Sequence, residues 1–146
     1  MVTLRPFSPS DWQVIAKYQH TDMTRSDAVK LIDQFNAPTY QGKFHRLLAV
    51  ERQGQIVGYV SVIEQTDGIV SVGVEIYAPF RQQGCAYEGL NQLFALARSF
   101  GYHTATGQVR KDNAASLALC GKLGFSIVGE AISRRGNPVY NLAKSI

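Results

Sequence analysis

The tightest constraint on this chain lies between residues 70 and 100, where a strand pattern stops and a helix pattern starts within a few residues. Val70, Val72, Val74 and Ile76 alternate with Ser71, Gly73, Glu75 and Tyr77, the period of two expected of a strand with one buried face. Pro79 ends the ladder because it has no N–H to donate. Arg81-Gln82-Gln83-Gly84-Cys85-Ala86 follows, and then Leu90, Leu93, Phe94, Ala97 and Phe100 recur at spacings of mostly three and four, a single helical stripe. A turn that feeds straight into a helix leaves N–H groups unpaired at the positive end of the helix dipole, a natural anion site. Gly84 lets backbone approach such a ligand, and Arg81 adds charge beside it. The same residues would also serve as a plain strand-to-helix connection, and the loop by itself leaves both readings open.

The remaining elements arrange themselves around this unit. Val2 to Phe7 reads as a short strand, and Ser8-Pro9-Ser10-Asp11 as a helix start with Ser8 as N-cap, Pro9 at the first position and an acid at the third. Trp12, Ile15 and Tyr18 give that helix an apolar edge. Thr24 repeats the cap signature for a second helix carrying Ala28, Leu31, Ile32 and Phe35, closed by Asn36 and Pro38. Strands are expected over Phe44–Glu51 and Gln55–Gln65, joined at Gln53-Gly54, with a second turn at Thr66-Asp67-Gly68. Gly101 is a natural cap for the long helix, and His103–Val109 is the next strand. A last helix starts at Asp112 or Asn113, turns Leu117, Cys120 and Leu123 inward, and ends at Gly124. Ser126–Ala131 and Val139–Ala143 form a closing hairpin over Arg134-Arg135-Gly136-Asn137-Pro138.

At two of these places the chain resembles a known family. Arg81-x-x-Gly84-x-Ala86 after a strand is similar to the acyl-CoA pyrophosphate loop of the GNAT superfamily of N-acetyltransferases. Gly84-Cys-Ala-Tyr-Glu-Gly-Leu90 is similar to the Gly-Tyr-Ala-Thr-Glu-Ala-Leu form of the ribosomal-protein-type branch. Lys111-Asp-Asn-Ala-Ala-Ser-Leu-Ala-Leu-Cys-Gly-Lys-Leu-Gly-Phe125 resembles the superfamily's later Asn-x-x-Ser/Ala…Lys-x-Gly-Phe segment. The resemblance covers roughly residues 44–130 and, in layout, the flanks. It implies an α/β (α+β) GNAT fold: a mixed, mostly antiparallel sheet of about seven strands, splayed between the fourth and fifth, with about four helices, in one domain over residues 1–146.

The resemblance also implies chemistry. Acetyl-CoA (coenzyme A) would lie in the splay, its pantetheine paired with main-chain groups of Ile76, Tyr77 and Ala78. Its pyrophosphate would rest on the N–H groups of Gln82, Gln83, Gly84, Cys85, Ala86 and Tyr87, beside Arg81. Proline often stands in the family where Ala78 does; here it falls one place later. Asn113 matches the family asparagine that contacts the cofactor arm or orients the helix, and it serves equally as an ordinary cap; Ser116 matches the position facing the cofactor. Transfer to an amine needs a base, oxyanion donors and a proton for the leaving thiolate. Glu75 is the candidate base, lying on the face with Ser71, Gly73 and Tyr77, or else it pairs with an Arg or Lys or reaches solvent. The family's usual tyrosine acid is replaced by Cys120, so Cys120 is either an acid or packing, and Tyr140 is an alternative acid. His20, His45 and His103 show no ligand spacing.

Composition narrows the classes. Hydrophobic residues at 45% and charged at 18% suit one ordinary globular domain of 146 residues, able to bury about 70% of its unfolded surface. No apolar run nears the roughly 20 residues of a membrane span and the start lacks a leader pattern, so the expectation is a cytoplasmic protein with no membrane partner. Two cysteines, Cys85 and Cys120, fit neither a metal site nor a disulfide framework. The net charge of +4 permits an anionic ligand, but no basic stripe with interleaved aromatics points to nucleic acid. Loops with Gly-Lys-Ser/Thr or Gly-x-Gly-x-x-Gly are absent, which argues against nucleotide hydrolysis and a dinucleotide fold. The expected activity is acetyl transfer from acetyl-CoA to a primary amine of a small molecule or peptide N-terminus, by direct attack in a ternary complex. The alternative is a non-catalytic acyl-CoA-binding or interaction module. Edge strands at the chain's end allow a homodimer.

Overall fold

In the computed structural model, described for residues 1–19 and 22–146, hydrophobic alternation and helical stripes become one mixed sheet with helices on both faces. His20 lies outside the described residues. The strands are β1 (Thr3–Pro6), β2 (Thr39–Tyr40), β3 (Lys43–Arg52), β4 (Gln55–Thr66), β5 (Ile69–Ile76), β6 (Thr104–Arg110), β7 (Ser126–Ile132) and β8 (Pro138–Ser145). The helices are α1 (Trp12–Tyr18), α2 (Arg25–Phe35), α3 (Cys85–Ser99) and α4 (Ala114–Lys122). The sheet runs β1-β3-β4-β5-β6-β8-β7, with β2 attached to β3. β5 and β6 are parallel, and the other pairs are antiparallel. The expected mixed sheet and four helices are therefore present. The eighth strand, β2, is two residues long and left no periodicity to read.

Each face of the sheet has its own core. Val50, Val60, Val62 and Val70 pack against Leu90, Leu93, Phe94 and Ala97 of α3. On the other face Ala49, Ile56 and Tyr77 meet Ile15, Ala28 and Ile32 of α1 and α2, together with Phe7. A fully buried side chain such as Leu93 or Ile32 contributes about 1.5–3 kcal/mol. Because β5 is sandwiched, Val70, Val72, Val74 and Ile76 look toward α3 and Ser71, Gly73 and Glu75 toward α1 and α2.

The N-terminal cap is as its residues dictate. Ser8 and Asp11 form a reciprocal capping box around a 3-10 turn, Pro9–Asp11, that runs into α1. Two expectations need correction. β5 ends at Ile76 and Tyr77 already caps the next 3-10 turn, Ala78–Phe80. In α4, Leu117 and Cys120 are half-buried rather than inward. The core contacts come from Leu119 and Leu123, because the short helix meets the sheet mainly through its last turn.

Candidate functional site

The site begins where two parallel strands part. β5 and β6 pair only at Ile69–Thr104, Val70–Ala105 and Ser71–Thr106, while β5 stays paired with β4 as far as Ile76. Beyond Ser71 the β6-facing edge of β5 is therefore open. In an antiparallel ladder, alternate residues direct both backbone groups to the same neighbour. The Tyr77 N–H goes to the Val57 carbonyl at 2.9 Å, so Tyr77, Glu75 and Gly73 bond toward β4. Val72, Val74 and Ile76 bond toward the gap. On that side Thr106 donates to the Val70 carbonyl at 3.1 Å, and Arg81 Nε donates to the Ile76 carbonyl at 2.8 Å.

This geometry revises the main-chain set expected from sequence. Tyr77 has both backbone groups engaged, its carbonyl accepting from the Phe80 N–H at 2.9 Å. The Ala78 carbonyl faces the Arg81 N–H at 3.4 Å within the same turn. The Ile76 groups point into the gap, and Val74, which sequence reasoning missed, joins them.

The loop then delivers a helix N-terminus beside the open edge. Gln82 has φ of +61° and Gly84 has φ of +80°, so the chain passes twice through the left-handed region before α3. No side chain caps α3, and the first bond inside it is from the Glu88 N–H to the Gly84 carbonyl at 3.1 Å. The N–H groups of Cys85, Ala86 and Tyr87 precede that bond and lack helical partners. A Cβ built on Gly84 meets nothing within 4 Å, so the space above the loop is clear. Arg81, from the loop itself, spends Nε on the Ile76 carbonyl. Arg52, from the end of β3, reaches Gln83 Oε1 and lies 3.8 Å from Cys85 Sγ. It was not expected, because nothing local to residue 52 shows that β3 ends beside α3.

Glu75 sits on the α1–α2 side, half-buried. The Tyr59 hydroxyl donates to Glu75 Oε2 at 3.0 Å. Burial first, then this carboxylate, push the Tyr59 phenol up to about 12. Tyr77 stacks on Tyr18 with centroids 4.4 Å apart and accepts from Gln19 Nε2 at 2.8 Å. Burial pushes the Tyr77 phenol up to about 12, the Gln19 bond working against it. Ser61, Ser71 and Gly73 continue the floor with small side chains. The positioning device is a bulge: β3–β4 register slips between Val50 and Glu51, so Ile56 and Tyr59 face the α1–α2 core while Val57 and Val60 face α3. At the bulge, a Cβ on Gly58 would lie 2.1 Å from the Glu75 carbonyl oxygen.

The other expected residues are more dispersed. Asn113 caps α4, its Oδ1 accepting from the Ser116 N–H at 3.1 Å, so the cap reading describes it within this chain. Burial pushes the Cys120 thiol up. Tyr140 lies on β8 with Lys111 Nζ 5.0 Å from its ring centre, and no hydrogen bond ties Cys120 or Tyr140 to the Glu75 corner among the described residues. His45 is on β3, with burial lowering its pKa and Nδ1 unpartnered. His103 pairs with the Thr104 hydroxyl at 2.8 Å. Among the described residues no three His, Cys, Asp or Glu side chains cluster as metal ligands.

A mixed sheet opened beside a helix N-terminus is the architecture of an acetyltransferase fold, and the comparisons agree. The chain belongs to the GNAT acetyltransferase family: the family model described as an acetyltransferase (GNAT) domain matches residues 2–126. The L-methionine sulfoximine/L-methionine sulfone acetyltransferase of Pseudomonas paraeruginosa is 32% identical over 101 residues, covering 66% of this chain and 58% of that protein. The Pseudomonas aeruginosa protein of the same name is 32% identical over 89 residues, covering 58% of this chain and 52% of that one. The matched stretch thus spans under two thirds of the length of these curated relatives. Among solved structures, Mycobacterium smegmatis RimJ in complex with CoA-disulfide superimposes with a TM-score of 0.86 at 15% identity, covering 99% of this chain and 81% of that one. The ribosomal L7/L12 alpha-N-protein acetyltransferase RimL in complex with coenzyme A gives 0.84 at 18% identity, with 99% and 94% covered. Identities this low show the fold. Among the described residues no helix is long and apolar enough to cross a membrane.

Proposed function

We propose that the chain is an acetyl-CoA-dependent N-acetyltransferase acting on a primary amine of a small molecule or peptide N-terminus. The observation that carries this reading is the open edge of β5 past Ser71 lying beside the uncapped N-terminus of α3. Unpaired strand amides suit the amide-bearing pantetheine arm, and unpaired helix N–H groups suit a diphosphate. The clear space over Gly84 and the guanidinium groups of Arg81 and Arg52 fit the same ligand. Acetyl-CoA, when bound, supplies the activated acyl group.

The chain's own residues supply the rest. Val74 and Ile76 offer main-chain N–H groups toward the gap as oxyanion donors. Glu75 accepts a proton from the acceptor's ammonium, producing the neutral amine that attacks directly. Cys120, whose thiol burial holds protonated, and Tyr140 are the two candidates for returning a proton. A covalent acyl-enzyme has no support, since neither Cys85 nor Cys120 has a histidine partner among the described residues. The names of the relatives support both kinds of acceptor, an amino-acid analogue and a protein α-amine.

The test is thermal melting with acetyl-CoA, desulfo-CoA and ATP. At 100 times its Kd, a ligand specific for the folded form adds about 2.7 kcal/mol, so both CoA species should raise the midpoint and ATP should not. Thiol release is then followed with L-methionine sulfone, spermidine and a serine-initiated peptide. No shift with either CoA species would overturn the reading; a shift without turnover on any amine would favour a non-catalytic acyl-CoA-binding module.

A further inference from the structure

Glu75 has an unusual neighbour for a carboxylate in a half-buried corner. Among the described residues no Lys, Arg or His forms an ion pair with it, and its partner is a neutral phenol. Tyr59 stands directly opposite Glu75 in the β4–β5 ladder and donates to Oε2 at 3.0 Å. The contact is built in from both ends. Backbone at Gly58 presses on the Glu75 carbonyl so closely that no Cβ fits, and the adjoining bulge turns the Tyr59 ring into the α1–α2 core. The backbones that carry the two side chains cannot shift apart without disturbing the sheet.

Among the described residues, the titratable groups at this corner are Tyr59 from β4, Tyr77 at the end of β5, and Tyr18 with Lys17 from α1. β3 contributes uncharged Ala49 opposite Tyr59. Lys17 Nζ is directed at the Tyr18 ring, 5.1 Å from its centre, and the Tyr77 hydroxyl is held by Gln19. Tyr59 is therefore the group that decides how the carboxylate is held. A cation in its place would neutralise Glu75 and compete with an ammonium substrate; a phenol orients it without cancelling its charge.

We propose that Tyr59 is a positioning residue for Glu75: its hydroxyl holds one carboxylate oxygen and leaves Oε1 to take the proton of the acceptor amine. This rests on the reading of Glu75 as the base. The phenol stays protonated, hence a donor, throughout the neutral range.

The experiment compares wild type, Tyr59→Phe and Glu75→Gln. Tyr59→Phe keeps the packed ring and removes the donor. Acetyl-CoA affinity is read by titration calorimetry, and kcat and KM with whichever of L-methionine sulfone, spermidine or the serine-initiated peptide turns over. The expected result for Tyr59→Phe is a fall of about tenfold in kcat, the loss of one hydrogen bond to a charged group, with acetyl-CoA affinity unchanged. A purely structural role would lower the melting midpoint and leave kcat in place. An unchanged kcat, or a fall in acetyl-CoA affinity that matches the fall in kcat, overturns the proposal. Full turnover by Glu75→Gln would instead remove the base reading itself, so the two failures are distinct.

Discussion

Two glycines do opposite work in the candidate site, and only one of them is visible in a motif. Gly84 is needed for its φ of +80° and for the clear space above it. Gly84→Val would strain the backbone by about 1–2 kcal/mol without an internal clash, and would set a branched side chain where a diphosphate must approach. The expected outcome is at least a tenfold loss of acetyl-CoA affinity by titration calorimetry with the fold retained. Gly58 matches no motif, yet Gly58→Ala would place a methyl 2.1 Å from the Glu75 carbonyl oxygen. Backbone cannot yield as a flexible side chain does. The expected cost is about 2 kcal/mol or more, a fall on the order of 5 °C in melting midpoint. If Glu75 is the base, Glu75→Gln should lower turnover by about 10²–10⁴ while acetyl-CoA affinity holds.

At the scale of elements, the N-terminal strand is fastened by Arg5. Its guanidinium bonds Asp11 at 2.8 Å in the capping box and Glu51 on β3 at 2.6 Å, joining β1, the 3-10 turn and the sheet. Burial opposes ionisation of Asp11, but the Arg5 bond and the Ser8 N–H outweigh it and hold its carboxyl below the ordinary 3.8. A depressed acid stabilises the fold fully above its ordinary value, and that contribution is lost as pH falls through the lower folded one. Asp11→Asn should cost about 1–2 kcal/mol at neutral pH. It should also flatten the decline in stability below about pH 4, read from urea midpoints across an acid series. The cap itself was legible from Ser8, Pro9 and Asp11. The reach of Arg5 to β3 was not, because it depends on strands 46 residues apart lying side by side.

For the whole molecule, the governing feature is that the two cores clamp β4 and β5 from opposite faces while β6 diverges. Tyr59 and Tyr77 belong to the clamped region, and burial, the leading cause, pushes both phenols up to about 12. A phenol raised in the folded state contributes stability present below its unfolded value near 10 and lost as pH rises through the folded one. Tyr102, which donates to Glu64, is pushed up to about 12 as well, burial first. Phenolate absorbance should therefore show these three tyrosines titrating late, with stability declining between about pH 10 and pH 12. Tyr59→Phe should leave two of these late tyrosines, Tyr77 and Tyr102, in the same titration.

What the amino-acid order settled by itself is whatever depends on neighbours along the chain. The alternation of β5, the α3 stripe, the Ser8 and Asn113 caps and the Gly84 turn were all readable, because their causes lie within a turn or a strand repeat. The order of elements and the loop then led to the family. Tertiary structure alone decided where β5 and β6 part, and therefore that Val74 and Ile76 rather than Tyr77 face the gap. It also brought Arg52 to α3 and Tyr59 to Glu75. These follow from sheet register and the bulge at Val57 in β4. A slip of one residue there would exchange the two faces of a strand while leaving every local pattern intact.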